Sequence, residues 1–190
     1  VLVDIPRDIL LGEKAEFVWP TETKLPGYQV PYEAHEAQIA TAAQLINKAE
    51  RPLIMAGHGV LISYTHSLVI EIAEKAQIPV ITTLLGISSI PSDHELNLGM
   101  SGMHGMAYNN LAIDEADLII GLGMRFDDRV TGRISAFAPN AKFIHVDIDA
   151  SEVDKNIQTT VGIVGNLKAV LGQLLPKVEA NVHIDWLQRI

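Results

Sequence analysis

The chain contains no cysteine, which excludes disulfides, thiolate nucleophiles and thiolate metal sites together. Positive charge is scarce as well. Fourteen lysines and arginines face 23 aspartates and glutamates, for a formal net charge of −9, and no Lys/Arg cluster interrupts that balance. A long phosphate-tracking groove is therefore not expected, nor nucleic acid as a partner. A small anionic ligand stays open, because backbone amides at helix N-termini hold phosphates without basic side chains. No run approaches the roughly 18 continuous apolar residues of a membrane span, so no membrane partner is expected. The opening Val1-Leu2-Val3-Asp4-Ile5-Pro6-Arg7 has neither the basic start nor the apolar core of a signal peptide, and a reducing cytoplasm fits. It reads as a strand continued from something upstream.

What is present is apolar: 48% hydrophobic against 19% charged residues, with a mean hydropathy of +0.21. At 190 residues that composition can bury a full core, and the length allows one large or two small domains. Residues 19–32 carry Pro20, Pro26, Gly27 and Pro31 without periodicity and read as a linker. Beyond it, Ile39, Ala43 and Ile46 recur at helical spacing in an alanine-rich stretch, predicting a helix over Glu33–Ala49 that Pro52 ends. Apolar runs then alternate with helical stretches. Leu53–Met55, Pro79–Thr82, Leu118–Ile120, Lys142–Val146 and Val161–Val164 are β-branched or aliphatic for the most part, as strands covered on both faces are. Thr65–Ala76, with Leu68, Ile72, Ala73 and Ala76 on one face, and Leu167–Leu175 predict helices between and after them. The alternation predicts a doubly wound α/β domain. The closing Asn181–Gln188 finds no strand partner and reads as a connection leading onward.

Three motifs stand at strand ends, where such sheets bind ligands. Gly57-His58-Gly59 follows the first run; a nucleotide approach and a simple tight turn explain the two glycines equally. The third glycine of the nicotinamide fingerprint is missing, Val60-Leu61-Ile62 standing there instead. Gly123-Met124-Arg125-Phe126-Asp127-Asp128-Arg129-Val130-Thr131-Gly132 follows the third run. A solvated loop would account for its charges, but the bracketing glycines and the place after a buried strand favour a site, in which its arginines could meet an anionic group with their planar forks while Asp127 orients one of them. Asp147-Ile148-Asp149 follows the fourth run, with ribose contact, a metal and a plain turn all open; ribose is the usual partner of such an acid. Ser151, with Asp154 three residues on, is placed to cap a following helix, and Asn166 is a good cap for the last one. Gly102-Met103-His104-Gly105 opens a helix, and the histidines lack metal-ligand spacing. No nucleophile–base set is present.

In their order and spacing, Gly102-Met103-His104-Gly105, Arg125-Phe126-Asp127-Asp128-Arg129-Val130-Thr131-Gly132 and His145-Val146-Asp147-Ile148-Asp149 resemble the large catalytic subunit of the acetolactate synthase family, thiamin-diphosphate enzymes. The similarity runs over essentially the whole chain. It implies a Rossmann-like middle domain, a mainly parallel six-stranded sheet with helices on both faces. Residues 1–18 would be the end of a pyrimidine-binding domain, 19–32 a linker, 33–178 the central FAD-binding domain, and 179–190 the start of a linker to a diphosphate-binding domain. It also implies condensation of two pyruvates, or of pyruvate and 2-ketobutyrate, with loss of carbon dioxide, in branched-chain amino-acid biosynthesis. Thiamin diphosphate and magnesium would sit between the outer domains. FAD would be a ligand of the middle domain without net redox part. A homodimer or homotetramer and a small regulatory subunit are the implied partners. The family's thiamin-activating glutamate and Gly-Asp-Gly diphosphate motif have no counterpart in these 190 residues, so the resemblance implies no catalytic residue here and no activity for this stretch alone.

Carried over residue by residue, the FAD contacts implied are Gly57, His58, Gly59, Thr83, Leu84, Ser101, Gly102, Met103, His104, Gly123, Met124, Arg125, Asp127, Arg129, Val130, Asp147, Ile148, Asn166 and Leu167. Met103, Asp128 and Arg129 resemble residues of the family's substrate channel. His58 stands where a small residue is common, Ser101 where an aliphatic is usual, and Asn166 where an aspartate is. Two rivals are a free-standing nucleotide- or NAD-binding regulatory domain and a structural module that has lost its ligand.

Overall fold

The computed structural model describes residues 2–12, 14, 16–22 and 31–190; Val1 and positions 23–30 of the expected linker lie outside them. Helix α1 (Arg7–Leu11) buries no residue. Leu2–Pro6 form no strand, contrary to expectation: a strand needs a neighbour for its backbone groups, and no described residue supplies one.

The domain begins at α2 (Glu36–Lys48), whose Ile39, Ala42, Ala43 and Ile46 are buried on one face and whose first turn is capped by the His35 ring accepting from the Ala37 N–H. Strand β1 (Pro52–Ala56) is buried at all five positions. After it come α3 (His58–Ile62) and α4 (His66–Ala76), which buries Val69, Ile72, Ala73 and Ala76 and ends at Gln77 in a left-handed conformation. Then follow β2 (Val80–Thr82), β3 (Asn97–Met100), α5 (Ala107–Glu115), β4 (Leu118–Leu122), α6 (Asp128–Thr131), β5 (Lys142–Asp147), β6 (Val161–Val164), α7 (Leu167–Leu174) and α8 (Ile184–Arg189).

The six strands form one sheet in the order β3-β2-β1-β4-β5-β6, every neighbouring pair parallel. Ile54 pairs with Val80 on one side and Ile120 on the other, and Ile120 with Ile144. This is the doubly wound topology, and its direction reverses between β1 and β4. Alternate residues of each strand point to opposite faces. Ile54, Ala56, Ile120, Leu122, Ile144 and Val146 pack under α2, α4 and α7. Leu53, Met55, Ile119 and Phe143 pack with Ala112, Ile113, Phe126, Phe137 and Trp186.

Strand β3 escaped the search for apolar runs because its four positions are only half-buried and include Asn97 and Gly99. The helix expected to open at Gly102 starts at Ala107. Ser151 caps no helix: residues 151–154 form turns, its hydroxyl donates to Asp149 at 2.7 Å, and Asp154 accepts from the Thr159 N–H at 2.7 Å. The end of the chain, read as lacking a partner, has one in α8. Trp186 is 3% exposed, its indole N–H donates to the Pro52 carbonyl at 3.0 Å, and Arg189 grips both carboxylate oxygens of Glu115.

Candidate nucleotide-binding cleft

At the carboxyl ends of the strands, where β1 and β4 part, Gly57 and Gly59 interlock with Gly123. The Gly57 N–H donates to the Leu122 carbonyl and the Gly59 N–H to Gly123, both at 2.9 Å. A Cβ on Gly59 would lie 2.6 Å from the Gly123 Cα, and one on Gly57 2.3 Å from the Gly123 oxygen. One turn packing on another thus leaves no room for a side chain at either glycine, as the tight-turn reading of the Gly-His-Gly motif requires.

Beside this joint opens a cleft of about 440 Å³ lined by His58, Thr83, Leu84, Leu85, Gly123, Met124, Arg125, Asp127, Arg129, Val130 and Asp147. The sequence displays Arg125 there by alternation: Met124 and Phe126 are 3% and 4% exposed and pin the backbone on either side. Phe126 lies edge-on to Phe143 and His145, and its carbonyl accepts from the Asn156 amide at 2.8 Å. Asp127 caps α6 by accepting from the Arg129 and Val130 N–H groups, and its other oxygen sits 3.7 Å from the Arg125 guanidinium. That exposed pair contributes orientation more than stability.

On the opposite wall Asp147 ends β5. Its Oδ1 accepts from the Asp149 N–H at 2.9 Å, while Oδ2 faces His145 Nε2 at 3.9 Å. Burial raises the Asp147 pKa, with the Asp149 N–H and His145 pulling the other way. His145, fully buried, has its pKa lowered, first by burial, so the ring is neutral at pH 7. Its Nε2 lies 2.8 Å from the Met124 carbonyl; a carbonyl only accepts, which puts the proton on Nε2 and leaves Nδ1 without a hydrogen-bond partner. His145 thereby ties β5 to the loop that presents Arg125. The arrangement offers two arginines and, beside the helix-capping Asp127, the Asp147 carboxylate as acceptor, a set suited to an anionic ligand carrying hydroxyl groups.

Residues 39–174 match the family model described as thiamine pyrophosphate enzyme, central domain. The chain belongs to that family. It is also 46% identical, over its whole length, to a probable acetolactate synthase large subunit of Methanocaldococcus jannaschii, covering 33% of that protein. It is 45% identical over 95% of its length to the acetolactate synthase large subunit of Corynebacterium glutamicum, covering 29%, and 44% identical over 98% to an acetolactate synthase of Mycobacterium leprae, covering 31%. The chain thus spans about a third of the length of these relatives.

Within this central domain the cleft gathers His58, Thr83, Leu84, Gly123, Met124, Arg125, Asp127, Arg129, Val130 and Asp147 of the residues singled out from sequence. Gly102 and Met103 instead line a neighbouring cavity with Asp128 and Val130, and the Arg129 guanidinium reaches to 3.8 Å from the Met103 sulfur, so Met103, Asp128 and Arg129 do lie together. Ser101 is buried against β2, where its N–H donates to the Thr82 carbonyl. Ile148, Asn166 and Leu167 stand outside both linings. Asn166 caps α7 through its Oδ1, as its type predicted, and the Leu167 side chain is core. Sequence reasoning missed His145 as a positioning group. Its place two residues before Asp147, hence on the same side of a strand, was the available signal. Among the described residues no group of three His, Asp or Glu side chains could hold a metal ion, and no helix is long and apolar enough to cross a membrane.

Proposed function

We propose that this domain is the central domain of an acetolactate synthase large subunit and that its cleft holds FAD as a structural ligand. The subunit would condense two pyruvates, or pyruvate and 2-ketobutyrate, to 2-acetolactate or 2-aceto-2-hydroxybutyrate. Thiamin diphosphate and magnesium would be bound by its other domains, and homo-oligomerisation and a small regulatory subunit would complete the enzyme. The reading of a cytoplasmic, biosynthetic enzyme rests on the same family likeness. The observation carrying the FAD assignment is the convergence of Arg125, Arg129 and the half-buried Asp147 on one cleft at the reversal point of the sheet. The chemistry fits the group: guanidinium forks suit a diphosphate, and the free Asp147 Oδ2 can accept from ribose hydroxyls. Leu84, Leu85 and Val130 give the same cleft an apolar side. FAD would supply no redox step here; the domain's residues would bind and orient it. A nicotinamide reading is disfavoured by the missing third glycine of its fingerprint, Val60-Leu61-Ile62 standing there instead.

Titration of the full-length protein with FAD and with NAD, followed by flavin fluorescence and calorimetry, tests the assignment. FAD should bind and NAD should not. Arg125→Ala and Asp147→Ala should each weaken FAD about tenfold or more, and His104→Ala, outside the cleft lining, less than about fivefold. NAD binding in preference to FAD would discard the proposal; a dominant His104 effect would discard the ligand orientation.

A further inference from the structure

Seven of the residues assigned to FAD lie on two loops that spring from strands that are not neighbours. Ser101–Gly105 follows β3 at the sheet edge, whereas Asp127–Gly132 follows β4, two strands inward across β2 and β1. Something must draw the outer loop over the sheet. Asn110, in the first half of α5, makes both hydrogen bonds that the backbone of one residue can offer: its Oδ1 accepts from the Gly102 N–H at 2.9 Å, and its Nδ2 donates to the Gly102 carbonyl at 3.0 Å. A side-chain amide here takes the place of a strand neighbour. On the other side of the loop the Met103 N–H donates to the Arg129 carbonyl at 2.9 Å. Gly102 has φ +89°, and a Cβ there would lie 2.4 Å from that same carbonyl, so the loop backbone is held between Asn110 and Arg129 with no room for a side chain. The adjacent Asn109, fully buried, donates to the carbonyls of Leu98 and Met100 at 2.7 and 2.9 Å, fastening β3 to the same helix.

We infer that Asn110 is a positioning residue for the cofactor: by closing this two-bond ring on Gly102 it docks the Ser101–Gly105 loop onto the Arg129 backbone and so holds Arg129 and Val130 where they line the cleft. The inference rests on the FAD reading for its ligand but not for its geometry. Asn110→Leu keeps the size and removes both bonds; Asn110→Asp keeps the acceptor for Gly102 N–H and sets a carboxylate against the Gly102 carbonyl. Both go into the full-length protein, with Leu111→Ala, on the exposed side of the same helix, as the control. Amide hydrogen exchange and FAD titration are the readouts.

In Asn110→Leu the Gly102 and Met103 amides should exchange about tenfold faster or more, while those of Leu118–Leu122 are unchanged, and FAD should bind about tenfold more weakly. Asn110→Asp should shift both readouts in the same direction by less, and it decides the matter if Asn110→Leu does not fold. Leu111→Ala should move neither. Unchanged exchange at Gly102 and Met103 overturns the clamp. Faster exchange with undiminished FAD affinity overturns its role toward the cofactor. A wild-type protein that takes up no FAD brings down the functional reading and that role together, and the exchange result then reports on the clamp alone.

Discussion

On one face of the sheet α2, α4 and α7 lay Ile39, Ile46, Val69, Ile72, Val170 and Leu171 over strand residues such as Ile54 and Ile120, and the cluster contains only Ala, Val, Leu and Ile. On the other face Phe126, Phe137 and Trp186 do much of the covering, over strand residues such as Phe143; α5, the single turn of α6 and α8 contribute there, and Phe126 and Phe137 come from loops. Regular helices can tile a sheet with small aliphatics because their period brings a side chain down at every turn. An irregular loop cannot, and one large ring fills the space that several aliphatics would. The consequence is functional. Phe126 is a core residue and also the anchor between Arg125 and Asp127, so on this face the core and the cleft share a residue, whereas the helical face is scaffold.

Truncating each core separately is the strongest way to break that comparison. Ile54→Ala and Phe126→Ala should each cost about 3–5 kcal/mol in urea unfolding, since both empty a buried site. Only Phe126→Ala should also weaken FAD, because only it frees the loop carrying Arg125. Equal loss of FAD in both variants would mean that the two faces are not functionally distinct.

Trp186→Phe probes the same face at the amino end of β1, away from the cleft at the carboxyl ends. Loss of the indole N–H strands the Pro52 carbonyl, at a cost of about 1–3 kcal/mol. Amide exchange should rise across α8 and leave the cleft loops protected; deprotection of Arg125–Gly132 instead would make the aromatic face one cooperative unit from one end of the strands to the other.

The helical face was the legible one. Ile39, Ala43 and Ile46 announce α2 by spacing alone, and the apolar runs of β1 and β4 announce a sheet covered on both sides. The strand-end position of Arg125 and Asp147 followed from that pattern and the cleft joins them. What stayed hidden depends on distant partners. Strand β3 carries Asn97 and Gly99 because Asn109, on a helix, supplies bonds at its outer edge, and nothing local in Asn97–Met100 announces that. Trp186 finds Pro52 across 134 positions of sequence. Gly57 and Gly59 also pack against Gly123, far along the chain, and nothing local in Gly57-His58-Gly59 announces that contact.

The histidines sharpen the contrast by pH. His145 belongs to the aromatic face through Phe126, and His183 is buried one turn before Trp186. Burial is the first cause lowering both pKa values. A lowered folded-state pKa means that the folded protein binds fewer protons than the unfolded one. The stability these groups contribute is therefore present above the unfolded value of about 6.5 and is lost as pH falls through the folded values, by at most about 1.4 kcal/mol per pH unit for each. Asp147 works in reverse: its pKa is raised, so its contribution is present below the unfolded value and is lost as pH rises through the folded one. Urea midpoints should hardly change from pH 8 to 7 and fall below 6.5, and His145→Gln should flatten part of that fall. A pH profile identical in the variant would remove His145 from the account.

The smallest effect expected is at Asn166, and it tests whether the helical face is scaffold only. Its Oδ1 accepts from the Lys168 and Ala169 N–H groups at 3.1 and 3.3 Å, and its own N–H donates to the Tyr32 carbonyl at 3.0 Å. The side-chain acceptor is thus committed to α7, which leaves Nδ2 as the only group for a ligand. Asn166→Ala removes the cap and should cost about 1 kcal/mol. Asn166→Asp keeps the acceptor and adds a negative charge at the positive end of the helix, which should stabilise by about 0.3–1 kcal/mol. If the cap is the whole role, FAD affinity changes less than about threefold in both variants while stability moves in opposite directions, a change smaller than one lost hydrogen bond to a charged group would give. If Asn166→Asp instead weakens FAD as much as Phe126→Ala does, the first turn of α7 belongs to the cofactor site and the division between scaffold face and site face fails at that residue.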